Sequence, residues 1–330
     1  MDAKSTAAPP SSLQEKWREL PEGEHRPRVA HVLKDVPRPV LQEQQQPRSE
    51  HTKLSVQTSS SATSSSYGNT APPEELYSIP STHIQHNAED ITLMGLRPGS
   101  TWEMQTAEFQ ETRTKHPGAK RILFVRHGEG IHNEAERRLG KERWETHEAK
   151  QPAYFDPPLN EVGVEQSKRL GAALRPALEN QHLEVDLLIV SPLVRAIETA
   201  QIAFSSVWHV SPIAAVEMAR ERHGKNTCDA RRPVSELQAA YPDVDFELFM
   251  EGEHDTWHDA EVRETPEHVR SRVELLLHWI LGLPDTVNTV AVVGHSDYMS
   301  HAVEAARCDP HWPSNCEVVP LIVVRKQLQQ

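Results

Sequence analysis

Apolar residues are spread unevenly along the 330-residue chain, and the change falls near residue 118. Before it they are scattered without a sustained period among prolines, a glutamine run (Gln44 to Gln46) and a serine tract from Ser59 to Ser66. A segment that buries so little cannot offset the entropy of its own ordering, so residues 1–117 are expected to be mostly disordered. The stretch 91–110 is richer. Its Ile91, Leu93, Met94, Leu96, Trp102, Met104 and Phe109 are dense enough to dock on whatever follows. Beyond residue 118, short unbroken apolar runs alternate with helical periods. Ile122 to Val125, Leu187 to Val190 and Val290 to Val293 are rich in branched residues, as central strands covered on both faces require. Between them, Asn160 caps a helix carrying Val164, Leu170, Leu174 and Leu178, and Leu193, Ala196, Ile197, Ala200 and Phe204 mark a second. Thr265-Pro266 opens a third through Val269, Val273, Leu276, Leu277 and Ile280. The alternation predicts an α/β fold, a three-layer α/β/α sandwich with a largely parallel central sheet, over residues 118–330.

Composition sharpens this division. The chain has 25 prolines and 14 glycines, and 12 of the prolines precede residue 118. Its 35 basic and 48 acidic residues give a net charge of -13, and residues 116–330 hold 23 of the basic and 33 of the acidic ones. The part expected to fold is therefore the more acidic. A nucleic-acid binder normally carries a basic surplus, so nucleic acid is not an expected partner, and any anionic ligand needs a local cationic pocket. Cys228, Cys308 and Cys316 form no CxxC pair, which offers neither a disulfide framework nor a zinc spacing. The first residues lack a basic-then-apolar leader, and no run approaches the roughly 18 to 20 apolar residues that span a bilayer. The expectation is a soluble cytoplasmic protein without a membrane partner.

In open α/β sheets ligands bind beyond the carboxyl ends of the strands. The three predicted strands are followed by Arg126-His127-Gly128-Glu129, by Ser191-Pro192-Leu193-Val194-Arg195 and by Gly294-His295-Ser296. If these strands are parallel, two arginines and two histidines converge on one crevice. Guanidinium forks match phosphate oxygens bidentately and stay charged at any relevant pH. Each piece alone has a bland alternative: an arginine in a first helical turn is usually solvated, and a histidine at a strand end commonly caps backbone. Placement after three buried strands at once is what the bland alternative leaves unexplained.

These residues resemble the histidine phosphatase superfamily in its phosphoglycerate-mutase-like branch. The likeness includes Arg126-His127-Gly128-Glu129 with Asn133, and Asp156 with Leu159, Gly163 and Gln166. It continues through Ser191-Pro192-Leu193 with Arg195, Glu198 and Thr199, then Arg220-Glu221-Arg222 with Gly224, and ends at Gly294-His295. The resemblance implies that His127 attacks phosphorus to form a phosphohistidine and that Arg126, Arg195 and His295 clamp the phosphoryl oxygens, with Asn133 as an added donor. It makes Glu221 the acid and base, with Glu217 four residues earlier as the alternative. The scheme needs no cofactor and no metal.

The expected activity is hydrolysis of a small phosphorylated substrate. The alternatives are mutase-type transfer within the same chemistry, and a non-catalytic phospho-ligand scaffold that reaches a protein partner through its N-terminal segment. Residues 224–262 are expected to cap the cleft. Within them Trp257, Arg231 and Arg232 are candidates to touch substrate, with surface solvation the default role of both arginines. His254 and His258, an i, i+4 pair near Glu251, Glu253, Asp255 and Asp259, lack the Glu that follows the first His in metalloproteases, so a metal is not expected there.

Overall fold

In a computed structural model of the chain, residues 100–325 are described, with Leu33 and Leu76–Ser78 in addition. Most of the segment expected to be disordered lies outside the described residues, as do residues 91–99 of the stretch expected to dock. The sheet comprises β1 (Leu76–Ser78), β2 (Lys120–Arg126), β3 (Leu187–Val190), β4 (Ile213–Ala215), β5 (Thr289–Gly294) and β6 (Val318–Arg325), in the order β1-β6-β2-β5-β3-β4. The three expected strands are its centre: β5 runs parallel to both β2 and β3. β4 continues the parallel part, whereas β6 lies antiparallel to β2 and pairs with β1 on its other edge. Neither β4 nor β6 was anticipated. β4 is a three-residue Ile-Ala-Ala, too short to show a period, and Pro320 interrupts the run of β6. Proline removes one ladder donor and argues against a strand interior, but β1 pairs only with Val323–Arg325, so Pro320 faces no described strand on that side.

The helices are α1 (Trp102–Lys115), α2 (Ile131–Leu139), α3 (Lys141–Thr146), α4 (Glu161–Glu179), α5 (Val194–Ala203), α6 (Val234–Ala240), α7 (Pro266–Leu281) and α8 (Ser296–Ala305). Side chains alternate across a strand. Ile122, Phe124, Ile189, Val290 and Val292 therefore share one face with Val269, Val273, Leu276 and Ile280 of α7 and Met299 and Val303 of α8. Leu123, Val125, Leu188, Val190, Ala291 and Val293 take the other face, against Leu170 and Leu174 of α4 and Ala196, Ile197 and Ala200 of α5. These are the three layers that the sequence pattern predicts. The expected caps also form: Asn160 Oδ1 accepts from the Gly163 N–H at 2.8 Å and Thr265 Oγ1 from that of His268 at 3.2 Å. In α1, Trp102 joins the second face and Phe109 packs with Ala119, Ile322 and Val324, while Met104 is exposed. Among the described residues no helix is long and apolar enough to cross a membrane.

One backbone crossing sets the entrance to the ligand end of the sheet. A Cβ on Gly163 would lie 2.1 Å from the Glu129 carbonyl oxygen, and one on Gly128 would lie 2.5 Å from the Gly163 carbonyl oxygen. The start of α4 thus presses directly on the turn after β2, and both chains need hydrogen in place of a side chain at the crossing. Gly163→Ala is expected to cost about 1–3 kcal/mol through overpacking, read as a lowered urea midpoint with an unchanged m-value.

Candidate active site

Four parallel strands end at one crevice, and each contributes. Arg126 closes β2 and His127 follows it; Ser191 follows β3 and leads into α5, whose first turn carries Arg195. His295 follows β5 as the N-cap of α8, and the chain leaving β4 reaches Glu221. His127 is buried, and its Nδ1–H donates to the Gly128 carbonyl at 2.6 Å. That bond fixes the tautomer and leaves a lone pair on Nε2, which accepts from Arg195 Nε at 3.3 Å. The ring of His295 lies 5.1 Å from that of His127, centroid to centroid, and its Nε2 meets Ser191 Oγ at 2.8 Å. Its Nδ1 is buried with no hydrogen-bond partner among the described residues, as is Arg126 Nε.

Arg195 is wholly buried. Besides His127, it donates to the Cys228 carbonyl at 2.6 Å and to Asp229 Oδ1 at 3.1 Å. Asp229 Oδ2 in turn accepts from Arg263 at 2.7 Å. Burial alone would raise the Asp229 carboxyl, yet Arg263 and Arg195 together hold it below its ordinary value. Burial, reinforced by Arg195, keeps His127 and His295 well below the usual histidine range, so both imidazoles are neutral near pH 7. The Asp156 carboxylate, also buried, accepts from the Val194 N–H at 2.9 Å and the Arg232 N–H at 3.3 Å, pinning the turn that presents Arg195.

Glu221 sits half-buried on the segment that follows β4. Burial first, then the charges of Asp229 and Asp297, push its carboxyl up to about 7. Its oxygens accept from the backbone N–H groups of Arg222 at 2.9 Å and Tyr298 at 3.3 Å, the latter in the first turn of α8. Asn133 Oδ1 accepts from the Gly130 N–H at 3.0 Å, which closes the first turn of α2 and leaves the amide nitrogen to donate. His132 was missed. It is buried, its ring lies 5.7 Å from that of His127, and its Nδ1 has no hydrogen-bond partner among the described residues. Its place beside Asn133 was the available signal.

A family model for the histidine phosphatase superfamily (branch 1) matches residues 122–314, most of the sheet and every residue of this crevice. The chain belongs to the histidine phosphatase superfamily. Membership supports phosphoryl hydrolysis or transfer as its chemistry. Phosphoglycerate mutase-like protein 1 of Arabidopsis thaliana is 28% identical to this superfamily member over 63% of this chain and 83% of its own. A second Arabidopsis phosphoglycerate mutase-like protein is 30% identical over 62% and 84%. A probable phosphatase of Schizosaccharomyces pombe is 28% identical over 38% of this chain and 52% of its own.

Other residues singled out in the sequence have structural partners. Glu217 is buried between Arg220 at 2.7 Å and Arg231 at 3.0 Å, so its carboxylate is already answered by two guanidinium groups. Arg231 is neither solvated nor aimed at a ligand: it is buried, and it also donates to the carbonyls of Arg232, Gly252, Glu253 and His254. Its job is to hold the 251–254 turn. Arg232 stays partly exposed over the Phe155 ring. Trp257 donates from Nε1 to Glu251 at 2.7 Å and packs 5.5 Å from the His223 ring. Asp255, near the His254 and His258 pair, is held by Arg220 at 2.7 Å. Metal-type ligand atoms do come within 4.8 Å of one another at His223, Glu264 and His268, but Arg272 already grips both oxygens of Glu264 there. Removing one partner of a buried ion pair leaves an uncompensated charge. Glu217→Ala is therefore expected to cost about 3–5 kcal/mol by strandings of Arg220 and Arg231, measured by urea unfolding.

Proposed function

We propose that this protein is a phosphomonoesterase that works through a phosphohistidine on His127, with Glu221 as proton donor and then base. The observation that carries the reading is the state of His127: a neutral imidazole with Nδ1 committed to a carbonyl and the Nε2 lone pair directed at a buried guanidinium. Phosphoryl transfer spreads negative charge over three equatorial oxygens, so positioning and cations do most of the work. As a phosphate ester enters, Arg195 Nε turns from His127 to a phosphoryl oxygen, freeing Nε2 to attack phosphorus. Arg126, His295 and the Asn133 amide donate to the remaining oxygens, and their rigid strand ends keep reorganisation small.

The P–O bond to the leaving group breaks as the N–P bond forms, and Glu221 gives its proton to the departing oxygen. The resulting carboxylate then takes a proton from water, whose oxygen attacks phosphorus and breaks the N–P bond, returning His127 and releasing phosphate. The net negative body around a small cationic island favours compact esters over long polyanions. Mutase-type transfer differs only in what accepts the phosphoryl group, and the names of the Arabidopsis relatives give it a specific claim.

His127→Ala is expected to abolish hydrolysis of p-nitrophenyl phosphate, whereas a chelator leaves the wild-type rate intact; an active mutant would remove the nucleophile from the scheme. Rapid quench should trap an acid-labile, base-stable phosphoryl label that the mutant lacks. Conversion of 3-phosphoglycerate to its 2-isomer without phosphate release would favour the mutase instead. Glu221 donates only when protonated, so kcat/KM for an alkyl phosphate should fall as pH rises through about 7, and Glu221→Gln should lower it by about 10²–10⁴-fold and abolish this limb.

A further inference from the structure

The segment that carries Glu221 is irregular, running from the end of β4 through Glu217–Ala219 to Gly224, so no ladder or helix of its own holds the acid in place. One side chain of α7, a helix that packs on the same face of the sheet as Met218 and Ala219, gathers the backbone carbonyls of this segment. Arg272, fully buried on α7, donates from one terminal nitrogen to the carbonyl oxygens of Met218 at 2.6 Å and Arg220 at 3.1 Å, and from the other to that of Glu221 at 3.4 Å. Its Nε and second terminal nitrogen also take Glu264 bidentately at 2.7 and 2.8 Å. Glu264 then reaches back to the same segment, accepting from the His223 N–H at 3.2 Å, and His268 Nδ1 lies 2.5 Å from its other oxygen.

The plane of Arg272 lies between two rings, with its central carbon 5.5 Å from Trp257 and 5.4 Å from Tyr298. Tyr298 is the residue whose N–H binds the Glu221 carboxylate. One guanidinium thus fixes both the backbone beneath the acid and the ring of the residue that grips its head. We propose that Arg272, oriented by Glu264, is the positioning residue of the proton donor, acting through the carbonyls of 218–221 and through Tyr298. This rests on Glu221 being the acid. A lysine cannot reproduce the job, because its single ammonium cannot meet three carbonyls and both carboxylate oxygens in one plane.

The consequence is selective. An ester of an acidic phenol departs without a proton, whereas an alkoxide needs one, so loosening the donor injures alkyl substrates most. The measurement is the ratio of kcat/KM for glycerol phosphate to kcat/KM for 2,4-dinitrophenyl phosphate, which reports phosphoenzyme formation and not its later hydrolysis, in wild type, Glu221→Gln, Arg272→Lys and Glu264→Gln, with orthovanadate affinity confirming an intact clamp. Both network variants are expected to bind vanadate within about threefold of wild type and to lose the ratio by about tenfold or more, in the direction of Glu221→Gln. If Glu221→Gln keeps the wild-type ratio, the acid assignment falls and this inference with it. If Glu221→Gln loses the ratio while a folded Arg272→Lys or Glu264→Gln slows both substrates equally, the acid stands and the positioning role is overturned. Glu264→Gln preserves shape and an acceptor oxygen, so it serves where Arg272→Lys unfolds.

Discussion

A guanidinium buried among neutral imidazoles is the constraint around which the crevice is organised. Arg195 cannot be left uncompensated in the interior, and its answers are two lone-pair acceptors, His127 Nε2 and the Cys228 carbonyl, and one carboxylate, Asp229. Its charge, added to burial, keeps the nearby histidines unprotonated. That is what allows a ring to face an arginine as an acceptor. The His127 Nε2 lone pair and the donors around it are thus set by the folded chain itself.

The same constraint explains why the Glu221 carboxyl can sit close to buried arginines and still be raised. Arg195 is tied to Asp229, and the negative charge of Asp229 raises Glu221 after burial has done so. Neighbouring arginines would by themselves pull Glu221 down. In the folded chain several arginines around Glu221 are committed to other carboxylates: Arg220 to Glu217 and Asp255, Arg263 to Asp229, Arg272 to Glu264. Pairing each cation with its own carboxylate leaves burial as the dominant influence on Glu221.

How much could be read beforehand follows from this physics. The central strands were legible because full burial demands unbroken branched runs, and the residues after them were legible because strand ends are where a parallel sheet gathers chemistry. β4 and β6 were not, one being too short for a period and the other interrupted by Pro320. Arg231 was misjudged because nothing in a local sequence reveals that Glu217, fourteen residues earlier, will meet it in the interior. His132 and Asp229 were missed for the same reason: their roles are defined by partners such as His127 and Arg195 that are distant in sequence or in another element. Asn133, expected only as an added donor, also closes the first turn of α2 through its Oδ1, a role that the sequence reading did not give it.

The strand order has a bearing on how the chain is made. β2 pairs only with β5 and β6, both near the C-terminus, and the His127 carbonyl accepts from Asn315 Nδ2 and lies close to the Cys316 N–H. At ordinary synthesis speeds, roughly 10–40 s separate the emergence of β2 from that of β6. Until β5 emerges, shortly before β6, one of the most apolar segments of the chain has neither of its neighbours. The strand that leads to His127 is therefore among the first parts of the sheet to leave the ribosome and among the last to be completed, a window in which Ile122 to Val125 are open to pairing elsewhere.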